Sequence, residues 1–301
     1  MSSPVISRTE IAPIAWSGRL VDYVQLSRPK IAVMVLATAW LGMLGTGEVM
    51  GWPVTVVLLL GTGLVTASAS ALNQIWERHS DGLMLRTENR PLPAGRLRVT
   101  EASVVAVATG LLGLMILAWL PSGPLACLIA AASLILYVMA YTPAKRWTVW
   151  NTLIGAVPGA LPPLIGWSAA TGSLSRGAFP LFAVLFFWQV PHFLAIAWIY
   201  RDQYRAAGLK MLPVNDTNGS RTVGVMVVSS LLLMVASYWP LLEGAGWFYG
   251  VAVTGINGLF LVAVSRFCRS RGVLEARTVL KASIVYLPVA LSFVVLDRYI
   301  G

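Results

Sequence analysis

Long apolar runs follow one another along nearly the whole chain and limit what it can fold into. Of its 301 residues, 57% are hydrophobic and only 11% are charged. Such a composition, arranged in runs of roughly membrane-spanning length, is typical of polytopic membrane proteins. We therefore predict an all-α polytopic membrane protein of about nine transmembrane helices, at 31–44, 52–72, 102–120, 127–141, 152–170, 179–199, 223–242, 247–264 and 280–296.

The chain shows no Ser/Gly linker and no shift in composition. We predict a single integral-membrane domain over 1–301, with 1–28 as a cytoplasmic amino-terminal segment. The first residues are polar and contain no short apolar core before a small-residue cleavage site, so we expect no removable signal peptide. Cys127 and Cys268 are predicted at opposite membrane levels, which excludes a disulfide between them.

A net charge of +10 is compatible with nucleic-acid binding, but the positions of the Lys and Arg residues along the chain favour another explanation. With the amino terminus inside, 20 of the 22 Lys and Arg residues fall on the cytoplasmic side, and only Arg176 and Arg298 lie outside. Positive charge concentrates on the cytoplasmic side of membrane proteins. We predict a multi-pass protein of the cell inner (plasma) membrane with a cytoplasmic amino terminus and no nucleic-acid partner. The predicted cytoplasmic groups are Arg8 to Lys30, Arg78 to Arg98, Lys145 with Arg146, Arg201 to Arg221, and Arg266 to Lys281.

Asn73, Glu77 and Asp81 recur at four-residue intervals where the second apolar run ends. On a helix this spacing places all three on one face. Oxygen ligands so placed can share Mg2+, which keeps several waters and bridges to substrate phosphate. The spacing predicts a metal and diphosphate site at the membrane edge. The alternative is a solvated loop whose charges only fix orientation.

A second polar segment, at 188–219, contains Asp202 at the cytoplasmic edge and His192 within a helix. Asp202 is predicted to complete the metal site from the opposite side of a cavity; alternatively it pairs with Arg201 or Arg205. An ionisable side chain within a span indicates a functional site, although His192 is also compatible with a neutral histidine that donates one hydrogen bond to a neighbouring helix.

A third segment places Lys145 and Arg146 at a cytoplasmic edge and then fills a span with glycines and prolines. Pro158, Pro162 and Pro163 predict a kinked or broken helix, which is tolerated where it lines a cavity. Room for a large substrate would follow; a kinked packing helix without a ligand is the other interpretation.

Together these motifs resemble the UbiA superfamily of intramembrane prenyltransferases and, within it, the protoheme IX farnesyltransferases, also called heme O synthases. The resemblance covers about 22–214, and the last three helices match only in hydropathy. It is carried by Asn73, Glu77 and Asp81, Leu26 to Lys30, Arg86-Thr87 with Arg90 to Pro93, Tyr141 to Pro143 with Lys145-Arg146, Gly159-Ala160 with Pro162-Pro163, His192-Phe193, and Asp202 with Tyr204 through Val214.

The resemblance implies a Mg2+-dependent transfer of farnesyl from farnesyl diphosphate to a vinyl group of protoheme IX (heme B), with water addition, giving heme O. The product would pass to a heme A synthase serving a terminal oxidase. By this resemblance Mg2+ is bound by the catalytic set Asn73, Glu77, Asp81 and Asp202. The diphosphate is bound by Lys30, Arg86, Arg90, Lys145 and Arg146, and the heme by His192 and Tyr204. Aromatic candidates for stabilising a carbocation are Tyr141, Trp76, Trp167, Phe187 and Trp188.

Some positions depart from the family pattern: Glu77 and His79 stand where Asp is frequent, Gln203 where a second acid is usual, and Lys210 where Pro is usual. Glu can still ligate Mg2+, but the loss of an acid at 203 puts a second metal ion in doubt.

Two other functions share parts of this pattern. A UbiA-type enzyme acting on an aromatic acceptor, such as a hydroxybenzoate or quinone precursor, would use the same metal and diphosphate chemistry. A secondary transporter also has broken helices and intramembrane ionisable residues, but here almost every acid and base lies at the cytoplasmic edge.

Overall fold

The computed structural model describes the backbone of residues 16–48 and 50–300 and the side chains of 18–48 and 50–297. The described part is α-helical and contains no strand, which confirms the predicted fold class. Arg8 and the Arg298 side chain, used in the charge argument, lie outside it. The helices are α1 Trp16–Ser27, α2 Pro29–Leu44, α3 Trp52–Asp81, α4 Val99–Ala118, α5 Gly123–Trp147, α6 Asn151–Thr171, α7 Ala178–Ile199, α8 Arg201–Ala206, α9 Leu212–Asn215, α10 Ser220–Leu242, α11 Trp247–Ser270 and α12 Val273–Ile300.

Among the described residues, eight helices are long and apolar enough to cross a membrane, namely α3 to α7 and α10 to α12. The predicted first span, α2, is apolar but only 16 residues long. At 1.5 Å per residue it extends about 24 Å, less than the roughly 30 Å of a bilayer core. The described part of the chain therefore has eight helices of spanning length, one fewer than the nine predicted, and one shorter apolar helix at the predicted first span.

The helix α1 lies in the segment predicted to be merely cytoplasmic. Its polar side is tied to the bundle, since Arg96 contacts Asp22 at 2.8 Å and Arg19 contacts Glu101 at 3.1 Å. Its apolar Leu20 remains 68% exposed. A short helix with one anchored polar face and one exposed apolar face suits the membrane interface.

The proline-rich helix α6 is interrupted as predicted. It consists of Asn151–Gly159 and Pro162–Thr171, with a break between them. The second piece packs closely on α2 through glycines: a Cβ on Gly42 would overlap the backbone of Pro163, and one on Gly166 would overlap the backbone of Ala39. Small residues at such crossings let membrane helices approach each other.

This close crossing predicts a loss of stability for Gly42→Ala. The added methyl group would overlap backbone atoms of Pro163, so α2 and α6 must separate. We expect this to lower the free energy of unfolding by roughly 1–3 kcal/mol. The measurement is thermal unfolding of the purified protein in detergent. Gly255→Ala is the matched control, because a Cβ there meets open space and alanine favours a helix. Equal unfolding temperatures for Gly42→Ala and the unmodified protein would contradict the packing described.

Candidate active site

The last turns of α3 carry the three residues singled out by their spacing. The helix continues to Asp81, nine residues beyond the predicted end of the span at 72, so Asn73, Glu77 and Asp81 lie on one helical face. All three are buried, with exposures of 0%, 8% and 1%. Their helical placement and burial exclude the solvated-loop interpretation, because loop charges would face water.

Lys145, at the end of α5, is the partner of Glu77. Its Nζ lies 2.6 Å from Glu77 Oε1, and both side chains are largely shielded from solvent. The same ammonium lies 4.4 Å from the centroid of the Tyr141 ring. The ring packs on Gly155 of α6, where a Cβ would overlap it. Three helices therefore meet around one buried ion pair.

Arg90, in the loop after α3, is the partner of Asp81. Its NH1 lies 2.6 Å from Asp81 Oδ2. Thr87 secures the same loop, since its hydroxyl donates to the Asp81 carbonyl at 2.8 Å. Burial, and next the charge of Arg28, lower the pKa of the Arg90 guanidinium, while Asp81 opposes this. Two guanidiniums thus share a confined space, which favours the binding of an anion.

Asn73 is oriented by Thr142. Its Nδ2 donates to Thr142 Oγ1 at 3.1 Å, and Thr142 donates in turn to the carbonyl of Tyr137 at 2.9 Å. The Tyr137 carbonyl belongs to a π-helical turn, Leu136–Tyr141. Asn73 Oδ1 is left buried without a hydrogen-bond partner. A buried acceptor without a hydrogen bond lowers the stability of the folded protein unless a ligand binds it.

Arg28 is a site residue that the sequence did not single out. It adopts a left-handed backbone, φ 51° and ψ 65°, immediately before α2. Its Nε and Nη2 atoms are buried and have no hydrogen-bond partner, and its charge interacts with Glu77 and Asp81. The only sequence signal was its place in the Leu26 to Lys30 motif.

The second polar segment meets the first through Arg86. The Arg86 NH2 donates to the Tyr204 hydroxyl at 3.1 Å, and its backbone N–H donates to Gln203 Oε1 at 3.3 Å. The guanidinium also lies 5.2 Å from the Tyr200 ring centroid and 5.8 Å from that of Tyr204. Tyr204, predicted to bind heme, is a partner of Arg86 here.

Asp202 does not join the three residues of α3. Its side chain is 81% exposed and forms an ion pair with Arg205 at 3.0 Å, which is the alternative left open by the sequence. Among the described residues no three His, Cys, Asp or Glu side chains come together as a metal cluster. The proposed Asp202 ligand therefore stays a prediction.

Lys30 and Arg146, also predicted to bind diphosphate, are exposed at the same end of the bundle. No described hydrogen bond or ion pair joins either side chain to Glu77 or Asp81. They lie at the rim of the charged region rather than inside it.

The aromatic candidates are dispersed. Tyr141 lies beside Lys145, whereas Trp76 is 48% exposed. Phe187 lines an apolar groove of about 380 Å³. Trp167 lines a cavity of about 700 Å³ at the opposite end of the bundle, with Arg176 and Asp297. Tyr141 is the candidate in direct contact with the charged residues.

Chemically, the α3 face fits a divalent cation. Asn73 Oδ1 is an unpartnered buried oxygen, and Glu77 and Asp81 follow at successive turns. Oxygen donors of this kind are what Mg2+ requires. Cations around the carboxylates, from Arg28, Arg90 and Lys145, suit a bound diphosphate.

Apolar helices of spanning length, with carboxylates, amide and cations concentrated at one end, define a multi-pass helical membrane protein with a polar site at the membrane edge. A model of the UbiA prenyltransferase family matches residues 34–285. The chain belongs to the UbiA prenyltransferase family.

Relatives that match over nearly the whole of this chain support this membership. Protoheme IX farnesyltransferase of Opitutus terrae is 40% identical over 289 residues, which cover 94% of this chain and 97% of that protein. That of Solibacter usitatus is 39% identical over 288 residues, covering 92% and 98%. The mitochondrial enzyme of Arabidopsis thaliana is 39% identical over 282 residues, covering 92% of this chain and 64% of that one.

Solved structures support the fold. A UbiA homologue from Aeropyrum pernix K1 superposes with a TM-score of 0.72 at 17% identity, covering 88% of this chain and 97% of that one. A homologue from Archaeoglobus fulgidus bound to GPP and Mg2+ superposes with a TM-score of 0.64 at 18% identity, covering 91% and 99%.

The buried ion pair predicts that Lys145→Met destabilises the protein by about 3–5 kcal/mol, because Glu77 would be left charged and unpaired. Thermal unfolding in detergent measures this. Arg146→Gln, its exposed neighbour, should change stability by about 0.5 kcal/mol or less. The double variant Glu77→Gln with Lys145→Met should recover much of the loss; a double variant as unstable as Lys145→Met would contradict the pairing.

Proposed function

We propose that this chain makes heme O by transferring a farnesyl group from farnesyl diphosphate to a vinyl group of protoheme IX. The observation that carries the proposal is the buried α3 face, Asn73, Glu77 and Asp81, surrounded by cations. It occurs in a chain 40% identical to a protoheme IX farnesyltransferase over 94% of its length. We place the reaction at the cytoplasmic face of the cell inner membrane, since Lys and Arg concentrate at that end.

Asn73, Glu77 and Asp81 would hold Mg2+, with Asp202 as a fourth ligand after its carboxylate leaves Arg205. When bound, the cation would neutralise charge that develops on the departing diphosphate. The Asn73 Oδ1 atom is already buried and free of protein partners. The Thr142 hydroxyl accepts a hydrogen bond from the Asn73 amide N–H, which leaves Asn73 Oδ1 as the free atom.

The diphosphate would be bound by Arg28 together with the cations that neutralise the carboxylates, Arg90 and Lys145. Charge-assisted hydrogen bonds to phosphate are among the strongest in proteins. Arg28 supplies two unpartnered donors and therefore needs no rearrangement of an existing bond. Lys30 and Arg146, exposed at the rim, would attract the anion, and Arg86 would hold the loop after α3 against α8.

Cleavage of the allylic carbon–oxygen bond releases diphosphate and leaves a farnesyl cation. A vinyl carbon of protoheme IX forms the new carbon–carbon bond. Water adds its oxygen to the other vinyl carbon and loses a proton, which gives the hydroxyethylfarnesyl group. Tyr141, held beside Lys145, presents an aromatic face to the reacting cation, an interaction of roughly 0.5–2 kcal/mol.

His192 and Tyr204 would bind the heme, and a heme A synthase would take the product. His192 lies seven residues before the end of α7 at Ile199, or roughly 10 Å from that end along the helix axis. Asn73 precedes the end of α3 at Asp81 by eight residues, a similar depth. The acceptor and the metal would then meet at one level.

The first test is conversion of hemin, reduced in the assay, with farnesyl diphosphate and Mg2+ by purified protein in nanodiscs, analysed by chromatography and mass. We expect a heme heavier by a farnesyl group and a hydroxyl group. Chelation should abolish this product because it removes Mg2+. Asp81→Asn should also abolish it, because the variant loses a carboxylate oxygen proposed to bind the metal. Unchanged protoheme with folded protein would contradict the proposal and favour an aromatic acceptor.

A second test compares two basic residues two positions apart. Arg28→Gln should lower kcat/KM for farnesyl diphosphate by roughly tenfold or more, because hydrogen bonds to charged groups contribute about 1.5–3 kcal/mol. Lys30→Gln, which alters an exposed side chain, should have a smaller effect that disappears at high salt. Equal effects of the two variants would refute the assignment of Arg28.

A further inference from the structure

His192 is bound through one ring nitrogen to the last helix of the bundle. Its Nδ1 lies 2.8 Å from the hydroxyl oxygen of Ser283 in α12. Ser283 has a single hydroxyl proton, and that proton is donated to the carbonyl of Leu280 at 2.7 Å. A carbonyl can only accept, so the Ser283 oxygen must accept from His192. We therefore assign the imidazole proton to Nδ1, on the basis of this hydrogen-bond network.

The other nitrogen, Nε2, then carries a lone pair. In a neutral imidazole one nitrogen donates and the other accepts. Within the described part of the chain no side chain or backbone group hydrogen-bonds Nε2, and the residue is only partly buried. The described ion pairs also bring no carboxylate to the ring. An accessible, uncharged nitrogen base is thereby held in the interior of a span.

The ring is fixed in orientation as well as in protonation. It stacks on Trp188 with centroids 4.9 Å apart and meets the edge of Phe193 at 5.2 Å. The Trp188 indole N–H donates to the Ser283 carbonyl at 2.7 Å. Ser283 thus anchors both stacked rings, through its hydroxyl and its backbone. Rotation of the imidazole would break these contacts together.

A continuous set of contacts connects this part of α7 with the charged residues. One turn before His192, Gln189 packs on Gly159 of α6, where a Cβ would overlap its amide. One turn earlier in α6, Gly155 contacts Tyr141, whose ring lies beside Lys145. The histidine therefore belongs to the same group of helices as the ion pair with Glu77.

We propose that His192 Nε2 is an axial ligand to the iron of the protoheme substrate, and that Ser283 is the positioning residue that keeps Nε2 unprotonated and correctly oriented. Imidazole is a common axial ligand of heme iron. A ligating histidine almost always donates its other N–H to an acceptor, which fixes the tautomer and raises ligand basicity. This inference rests on the proposed function, since it assumes that protoheme is the acceptor.

The test is titration of the purified protein in nanodiscs with hemin, followed by Soret absorption and electron paramagnetic resonance. We expect an imidazole-ligated signature that His192→Ala loses and that added imidazole restores. Ser283→Ala should weaken hemin affinity by roughly 10–100-fold, as observed for other outer-shell partners of metal ligands. Ser283→Thr, which keeps the hydroxyl, should retain most of the affinity.

Ser230→Ala is the matched control: Ser230 is also buried and donates to a backbone carbonyl, that of Met226, but contacts no histidine. Its hemin spectrum and affinity should be unchanged. A His192→Ala spectrum identical to that of the unmodified protein would overturn iron ligation, and full affinity in Ser283→Ala would overturn the role of Ser283. Heme O formation is assayed in parallel. Absence of heme O from the unmodified protein would contradict the proposed function, whereas the hemin-binding results test iron ligation and the role of Ser283.

Discussion

Two carboxylates can be buried at the end of an apolar helix here because other parts of the chain hold a cation against each. Removing a charged group from water costs several kcal/mol unless a partner and further hydrogen bonds compensate. Lys145 compensates Glu77 and Arg90 compensates Asp81, both at 2.6 Å. The first pair joins α3 to α5, and the second folds the loop after α3 back onto the helix. The architecture of this membrane edge follows from the two pairings.

Hydroxyl groups orient the functional side chains in two separate places, by the same chemistry. Thr142 gives its proton to the Tyr137 carbonyl and accepts from Asn73. Ser283 gives its proton to the Leu280 carbonyl and accepts from His192. In each case the hydroxyl can only accept from the functional group, which fixes which atom of that group remains free. For Asn73 the free atom is an oxygen suited to a hard cation, and for His192 it is a nitrogen suited to iron.

The sequence predicted what depends on local spacing. The four-residue steps to Asp81 and the prolines around Gly159 indicated one helical face and one helix break, and both were found. The family assignment was likewise confirmed. What depends on distant contacts was not predictable: nothing local distinguishes Lys145, which pairs with Glu77, from exposed Arg146. Arg28 was missed because a left-handed backbone conformation, uncommon for arginine, turns it toward the site.

Two of the four departures from the family pattern inferred from the sequence, Gln203 and Lys210, lie in the second polar segment and contact other parts of the site. Lys210 stands where proline is usual, and its backbone N–H donates to the Lys145 carbonyl at 2.7 Å, a bond that proline could not form. Its own carbonyl accepts from Asn151 at 2.9 Å. Gln203 stands where an acid is usual and accepts the backbone N–H of Arg86.

At both positions a hydrogen bond stands where the resemblance predicts an acid or a proline. An acid at 203 would add a negative charge beside Asp202, whereas the neutral Gln203 amide joins the loop after α3 to α8 without that charge. The hydrogen bond from Lys210 fixes the backbone of the residue whose ammonium neutralises Glu77. Where the resemblance leads us to expect an acid and a proline, this chain has hydrogen bonds that join Gln203 to Arg86 and Lys210 to Lys145. Under the proposed function, the oxygen atoms of α3 and Asp202 would hold the metal, while Lys145 and Arg86 are positioned by contacts from the second polar segment.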